Sequence, residues 1–259
     1  MMKHIWELFN YKTPARYFIN KPIREYDLSK ANISALLYMN RISLQEYNSY
    51  IAMPKYNREI MIGKWIRKDK SVYQDIQAGI VEAKKRFILT NNISNDDVIA
   101  IHNDSIIFIG NQKITNEFSP FLFRLEDSYS SFMQLQDLEL YYSFNPFQSD
   151  KLIVKGIKCS ESNVLLDEIK YICRMLHQSD VQYVLDRLHW FYDDFINRRL
   201  SKEFYRNLDN TSGYTLHTFM HTVVLDDISD ELVLDIDINR NLSIIRDLIA
   251  IVSDIYRYG

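Results

Sequence analysis

The stretch "DDVIAIHNDSIIFIG", residues 96–110, decides how this chain is read. Two runs of Val, Ile, Ala and Phe, each long enough for a strand, are joined by His102-Asn103-Asp104. Asn and Asp tolerate the left-handed backbone of tight turns, so the segment predicts a β-hairpin with a polar tip. The acid at that tip is either a turn former or a carboxylate presented to a ligand.

Working outward, "PIREYD" (residues 22–27) predicts a short strand that starts after Pro22 and ends at Asp27. In the next run, Leu28, Ala31, Ala35, Leu36 and Met39 recur at close to helical spacing. Residues 45–90 read as helical, and Lys55, Arg58, Lys64, Arg67, Lys68 and Lys70 make part of them basic. Beyond the hairpin, "FLFRLED", "YSSFMQLQDLELYYSF" and "KLIVKGIKC" partly alternate between polar turns, as an antiparallel meander does. From about residue 160 the pattern turns helical in "SNVLLDEIKYICRMLHQ", "DVQYVLDRLHWFYDDFINRRL" and "NLSIIRDLIAIVSDIYRY". The fold class expected is α+β. An antiparallel sheet with packed helices occupies residues 1–158 and includes a basic helical insertion at about 45–90. A mainly helical C-terminal domain follows over 159–259.

Composition narrows the function classes. A hydrophobic fraction of 47% supports a packed core, and only 6 Gly and 5 Pro argue against long linkers. With a net charge of −3 and a pI near 6.1, the chain is not a generic basic nucleic-acid coat, although a local basic groove is compatible. Cys159 and Cys173, the two cysteines, support neither a disulfide framework nor a zinc site. No apolar run approaches the ~18 residues of a membrane span, and the amino terminus lacks the apolar core of a signal peptide. The expected location is the cytoplasm, with no membrane partner.

Asp27 closes a strand that leads into a helix, and Asp104 closes a turn between apolar strands. If the first strand pairs beside the hairpin, both carboxylates emerge at one end of one sheet. Such a pair repels itself until a cation neutralises it, and oxygen-only ligands favour Mg²⁺ or Mn²⁺. Two such ions ~3.5–4 Å apart stabilise the attacking and leaving oxygens of phosphoryl transfer. The plainer readings are a helix N-cap for Asp27, a turn former for Asp104 and a packed strand end for His102. For the basic run the plainer reading is a solvated helix face.

"YDLSKANIS" resembles motif A of the family A DNA polymerases and the related single-subunit RNA polymerases, with Asp27, Ser29 and Ile33 at matching positions. "AIHNDSIIFIG" is similar to their motif C, with His102 and Asp104 as the His-Asp pair. The resemblance covers a palm of about residues 20–150. It implies that Asp27 and Asp104 hold the catalytic Mg²⁺ (or Mn²⁺), assisted by the Leu28 carbonyl, with His102 beside them. It also implies nucleic acid and nucleoside triphosphates as partners. Arg58, Lys64, Arg67 and Lys70 are the candidate nucleotide-binding residues, in a clamp where Arg gives bidentate contacts and Lys a point charge. Three departures are visible. Asn103 is inserted within the His-Asp pair, Asn32 replaces a glutamate linked to sugar choice, and the fingers motif is not reproduced, Tyr73 lacking its following Gly.

The leading expectation is therefore a reduced, phage- or mobile-element-encoded palm that transfers nucleotides. The alternative is a catalytically inactive palm that binds nucleic acid or docks on a replication or transcription complex. A metal-dependent nuclease is a third possibility. Asp235 and Asp237 would share one face of a strand, as a second metal site or, the plainer reading, as solvated edge or loop residues, and His217 and His221, four apart as on a helix face, read as structural.

Overall fold

The computed structural model describes residues 4–147, 149–156, 164–205, 215–218, 221–224 and 230–258; side chains at 202–203 and from 206 to 238 lie outside that description. The chain is α+β and divides into two compact units. Unit 1 comprises residues 1–14 and 21–128, and unit 2 residues 15–20 and 129–259. The boundary expected near 158 falls among residues outside the description, whereas the units divide at Ser128–Tyr129.

Unit 1 holds β1 (Asn10–Lys12), most of β2 (Tyr17–Leu28), β3 (Val98–His102), β4 (Ser105–Ile109), β5 (Glu117–Phe118) and the first part of β6 (Phe121–Leu135). Its strand order is β1-β3-β4-β2, with β6 on the far side of β2. The strand expected at 22–27 is longer: β2 begins at Tyr17 and passes through Asn20, which takes φ 54°, and Pro22. Four of the five residues in both β3 and β4 are buried, so these strands are covered on both faces and show no polar alternation.

Four helices connect β2 to β3: α1 (Ala31–Tyr38), α2 (Leu44–Ile51), α3 (Lys55–Lys68) and α4 (Ser71–Thr90). Ser43 caps α2, accepting from the Glu46 amide at 3.2 Å while Glu46 returns a bond to Ser43. α4 buries Ile76, Gly79, Ile80, Ala83, Lys84, Phe87 and Ile88, a stripe at helical spacing. Gly79 lets α4 approach α1, since a Cβ there would meet Ala35 Cβ at 2.5 Å. The core of this unit gathers Tyr26, Ile33, Ile80, Phe87, Phe108 and Phe123, with the Phe87 and Phe123 rings 4.3 Å apart.

Unit 2 holds the rest of β6, then β7 (Leu138–Ser143) and β8 (Lys151–Lys155) as an antiparallel meander, with the start of β2 beside β6. The run expected at 121–127 and the first part of the run from 129 join in the one strand β6, and the rest of that run forms β7 after Gln136–Asp137. Helices α5 (Val164–Gln178), α6 (Val181–Ile196) and α7 (Asp230–Tyr258) bury Ile172, Leu188, Phe195, Ile245 and Val252 against Leu138 and Leu140. Inside this unit the His177 ring stacks on Phe144 and meets Ser131 Oγ at 2.9 Å through Nε2. Cys173 is a free, buried thiol, and Cys159 lies outside the described residues.

Two expectations are corrected here. His217 and His221 are not on one helix face: they belong to the paired strands β9 (Thr215–Thr218) and β10 (His221–Val224), where His217 faces Thr222. Asp235 and Asp237 are in α7 rather than on a strand, the apolar residues around them continuing the helical run through to Tyr258. Their side chains lie outside the description. Among the described residues no helix is long and apolar enough to cross a membrane.

Candidate functional site

Asp27 is the penultimate residue of β2, and Asp104 is the second residue of the β3–β4 turn. Both β2 and β3 pair antiparallel with β4, so they run parallel to each other with β4 between them. Joined through four helices, they form a split β-α-β arrangement, which puts the C-terminal ends of β2 and β3 at the same edge of the sheet. Asp27 is therefore directly opposite Ser105, one strand spacing away, and the Leu28 amide donates to the Asp104 carbonyl at 3.2 Å.

The inserted Asn103 does not turn Asp104 away. His102 pairs with Ser105, leaving Asn103-Asp104 as a two-residue loop in which Asn103 takes φ 55°. That left-handed conformation suits asparagine. The Asn103 amide donates to the Phe9 carbonyl at 2.6 Å, which ties the turn to the N-terminal segment.

The electrostatics register the convergence. Burial, followed by the charge of Asp104 and then of Glu126 and Glu25, pushes Asp27 up from 3.8 to about 6, against the pull of Lys55. Burial also raises Asp104; its own amide, Lys55 and Lys84 draw it down, and Glu59 pushes it up. Both carboxyls thus hold their protons more tightly than free aspartates, as desolvated like charges do.

Lys84 is fully buried on α4. Its ammonium donates to the Leu8 carbonyl and lies 4.3 Å from the centre of the Phe9 ring. Burial depresses its pKa to about 8, although Asp104 pulls the other way. Lys55, at the first turn of α3, acts on both acids, whereas Lys84 acts on Asp104. Lys55 belongs to the basic run expected to hold a triphosphate, whereas Lys84 was not among the expected site residues. For Lys84 a signal existed: it falls four residues after Ile80 and three before Phe87, on the apolar stripe of its helix.

The other candidates are placed as follows. His102 is half-buried at the end of β3, where Asn10 and Ser105 flank it in register. Arg58 is buried, and its Nη1 donates to the Met53 carbonyl at 3.4 Å. Lys64 and Arg67 are exposed on α3. Lys64 follows Lys55 by about two and a half helical turns, so it points from the opposite face of α3. Lys70, just before α4, is also exposed. The geometry thus brings Asp27, Asp104, Lys55 and Lys84 together, with Glu59 and Glu126 near them, and leaves Lys64 and Arg67 facing elsewhere. Asn32, at the place of the sugar-choice glutamate, donates to Glu59 at 3.0 Å.

Among the described residues no group of three or more His, Cys, Asp or Glu side chains gathers tightly enough to hold a metal by itself. Two desolvated carboxylates still suit Mg²⁺, which is commonly held by one or two carboxylates and completes its shell with water and substrate phosphate. Asp27 and Asp104 are the residues that would hold it.

A family model described as "Bacteriophage PBS1 gene 130 protein" matches residues 1–254. No curated protein matches the chain.

Proposed function

The chain belongs to the bacteriophage PBS1 gene 130 protein family, and from that premise we propose that it is a reduced polymerase-like palm carrying out Mg²⁺- or Mn²⁺-dependent nucleotidyl transfer in the host cytoplasm. The observation that carries this reading is the split β-α-β topology, which aligns Asp27 with the Asp104 turn at one sheet edge. Burial raises both half-buried acids, and the charge of Asp104 raises Asp27 further, so a divalent cation bound there would relieve the site. Bound there, the ion would supply charge neutralisation and Lewis acidity at a phosphate. The chain's own part is positional: the Leu28–Asp104 backbone bond keeps the two carboxylates in register, and Lys55 places a positive charge beside them for an incoming phosphate.

The test is extension of a labelled primer with deoxyribonucleotides or ribonucleotides in Mg²⁺ and in Mn²⁺. The wild type should incorporate label, and Asp27→Asn and Asp104→Asn should lose it. Label released from the primer without added nucleotides would instead make the site a nuclease.

One observation favours a second reading. Lys84 already gives Asp104 a buried countercharge, as an inactive palm retained for binding would have. That protein would dock nucleic acid or a replication or transcription complex. No incorporation by the wild type, together with no Mg²⁺ binding in a calorimetric titration, would move the assignment to it.

A further inference from the structure

A cleft of about 500 Å³ opens in unit 1 at the far end of α3 from Lys55, bounded by α1, α2 and the start of α4. Leu36, Ile42 and Val72 supply its aliphatic surface. Tyr50 and Trp65 supply an aromatic wall, their rings edge to face with centroids 5.3 Å apart. The size suits a small ligand rather than a single water.

The polar groups at its rim differ in how far they are already engaged. Arg41 is spent on Asp75, on Ser71 Oγ at 2.7 Å and on Asp69 at 3.7 Å. Asp69 Oδ1 accepts from the Ser71 amide and hydroxyl at 2.9 and 2.7 Å. Glu46 uses Oε2 for the Ser43 amide and hydroxyl, each at 2.8 Å, which leaves Oε1 as an available acceptor. Lys68 is exposed and makes no hydrogen bond or ion pair among the described residues. Lys64, Arg67 and Lys70 extend the positive charge beyond it.

The cleft therefore offers four things to a ligand: aliphatic surface, aromatic edges, one carboxylate acceptor and one uncommitted cation. A ligand that answers all four combines a flat ring, an N–H donor and an anionic group. We infer that the cleft binds a nucleotide unit, with its base against Trp65 and Tyr50, an exocyclic amine on Glu46 and its phosphate on Lys68. A carboxylate accepts well from an exocyclic amine, and aromatic side chains hold bases with little regard to sequence. The unit is either a free nucleotide or one residue of a single strand whose further phosphates follow Lys64, Arg67 and Lys70. This inference stands on the cleft alone and does not require the acid pair to hold a metal.

The test is a calorimetric titration of the full chain with AMP, CMP, UMP and adenosine, and with a 5′-phosphorylated single strand of about eight nucleotides. AMP and CMP bind more tightly than UMP, and Glu46→Gln removes that preference. Lys68→Ala lowers AMP affinity roughly two- to fivefold, towards that of adenosine. Trp65→Ala lowers it roughly 5- to 150-fold, and Trp65→Phe, which keeps a ring in place, retains most of it. A strand that binds more tightly than AMP, with a salt dependence lost in Lys64→Ala/Arg67→Ala, makes the source a nucleic acid; equal affinities make it a free nucleotide. Asp27→Asn binds AMP as the wild type does, so failure of the acid-pair reading leaves this result intact. No saturable binding of either nucleotide or strand would overturn the inference, as would binding unaffected by both Lys68→Ala and Trp65→Ala.

Discussion

Replacing Asp27 by Asn tests the convergence of the acids without needing any activity. In the folded chain Asp27 ionises near 6, and in the unfolded chain near 3.8. A shift of about two units corresponds to about 3 kcal/mol at ~1.36 kcal/mol per unit. Asp27 is only half-buried, so solvent screening brings the usable figure down to about 1–1.5 kcal/mol. The sign follows from proton linkage: across the window from 3.8 to about 6 the folded chain holds more protons than the unfolded one. The contribution is therefore present below the unfolded value, is lost as pH rises through about 6 and stays lost above it. Asn has no such dependence. The variant should match the wild type near pH 4 and exceed it by about 1–1.5 kcal/mol at pH 8, roughly 2–6 °C in Tm. Denaturant melts at pH 4, 6 and 8 measure this directly. Adding Mg²⁺ at ten times its Kd should return about 1.4 kcal/mol to the wild type and nothing to the variant. If the two proteins show parallel stability profiles between pH 4 and 8, the Asp27 carboxyl is neither desolvated nor opposed by Asp104, and the site dissolves.

Three further outcomes are expected. Lys84→Met should narrow the alkaline dependence of stability: a lysine ionising near 8 instead of 10.5 loses its contribution as pH falls through that window, and Met has nothing to lose. Identical melts of the two proteins from pH 7 to 10.5 would place Lys84 in water rather than in the core. Gly79→Ala should destabilise by about 1–3 kcal/mol in urea melts, because its methyl would meet Ala35 at 2.5 Å; a neutral result would mean that α1 and α4 can part without cost. His177 has its pKa lowered, chiefly by burial, so its contribution is lost as pH falls below the ordinary histidine range. His177→Gln should flatten that acid limb, and an unchanged limb would assign it to other groups.

The local sequence determined the elements because their signals are local. The β3–β4 hairpin follows from two apolar runs around Asn103-Asp104, and α4 follows from a stripe repeating from Ile76 to Ile88. The length of β2 was less legible, since Asn20, Lys21 and Pro22 read as breakers, yet the strand runs through these exposed residues with Asn20 at φ 54°. The later part of α7 was read as helix, but its beginning was hidden, because the acids from Asp230 to Asp237 suit either an edge strand or a helix. For the site, a sequence could name Asp27 and Asp104 but not bring them together. Their proximity depends on β4 inserting between β2 and β3, a pairing between segments that no local pattern encodes. The partners Lys55 and Lys84 are tertiary findings for the same reason. A lysine's effect on a carboxylate depends on distance and dielectric, and only the packing of α3 and α4 over the sheet sets those two quantities.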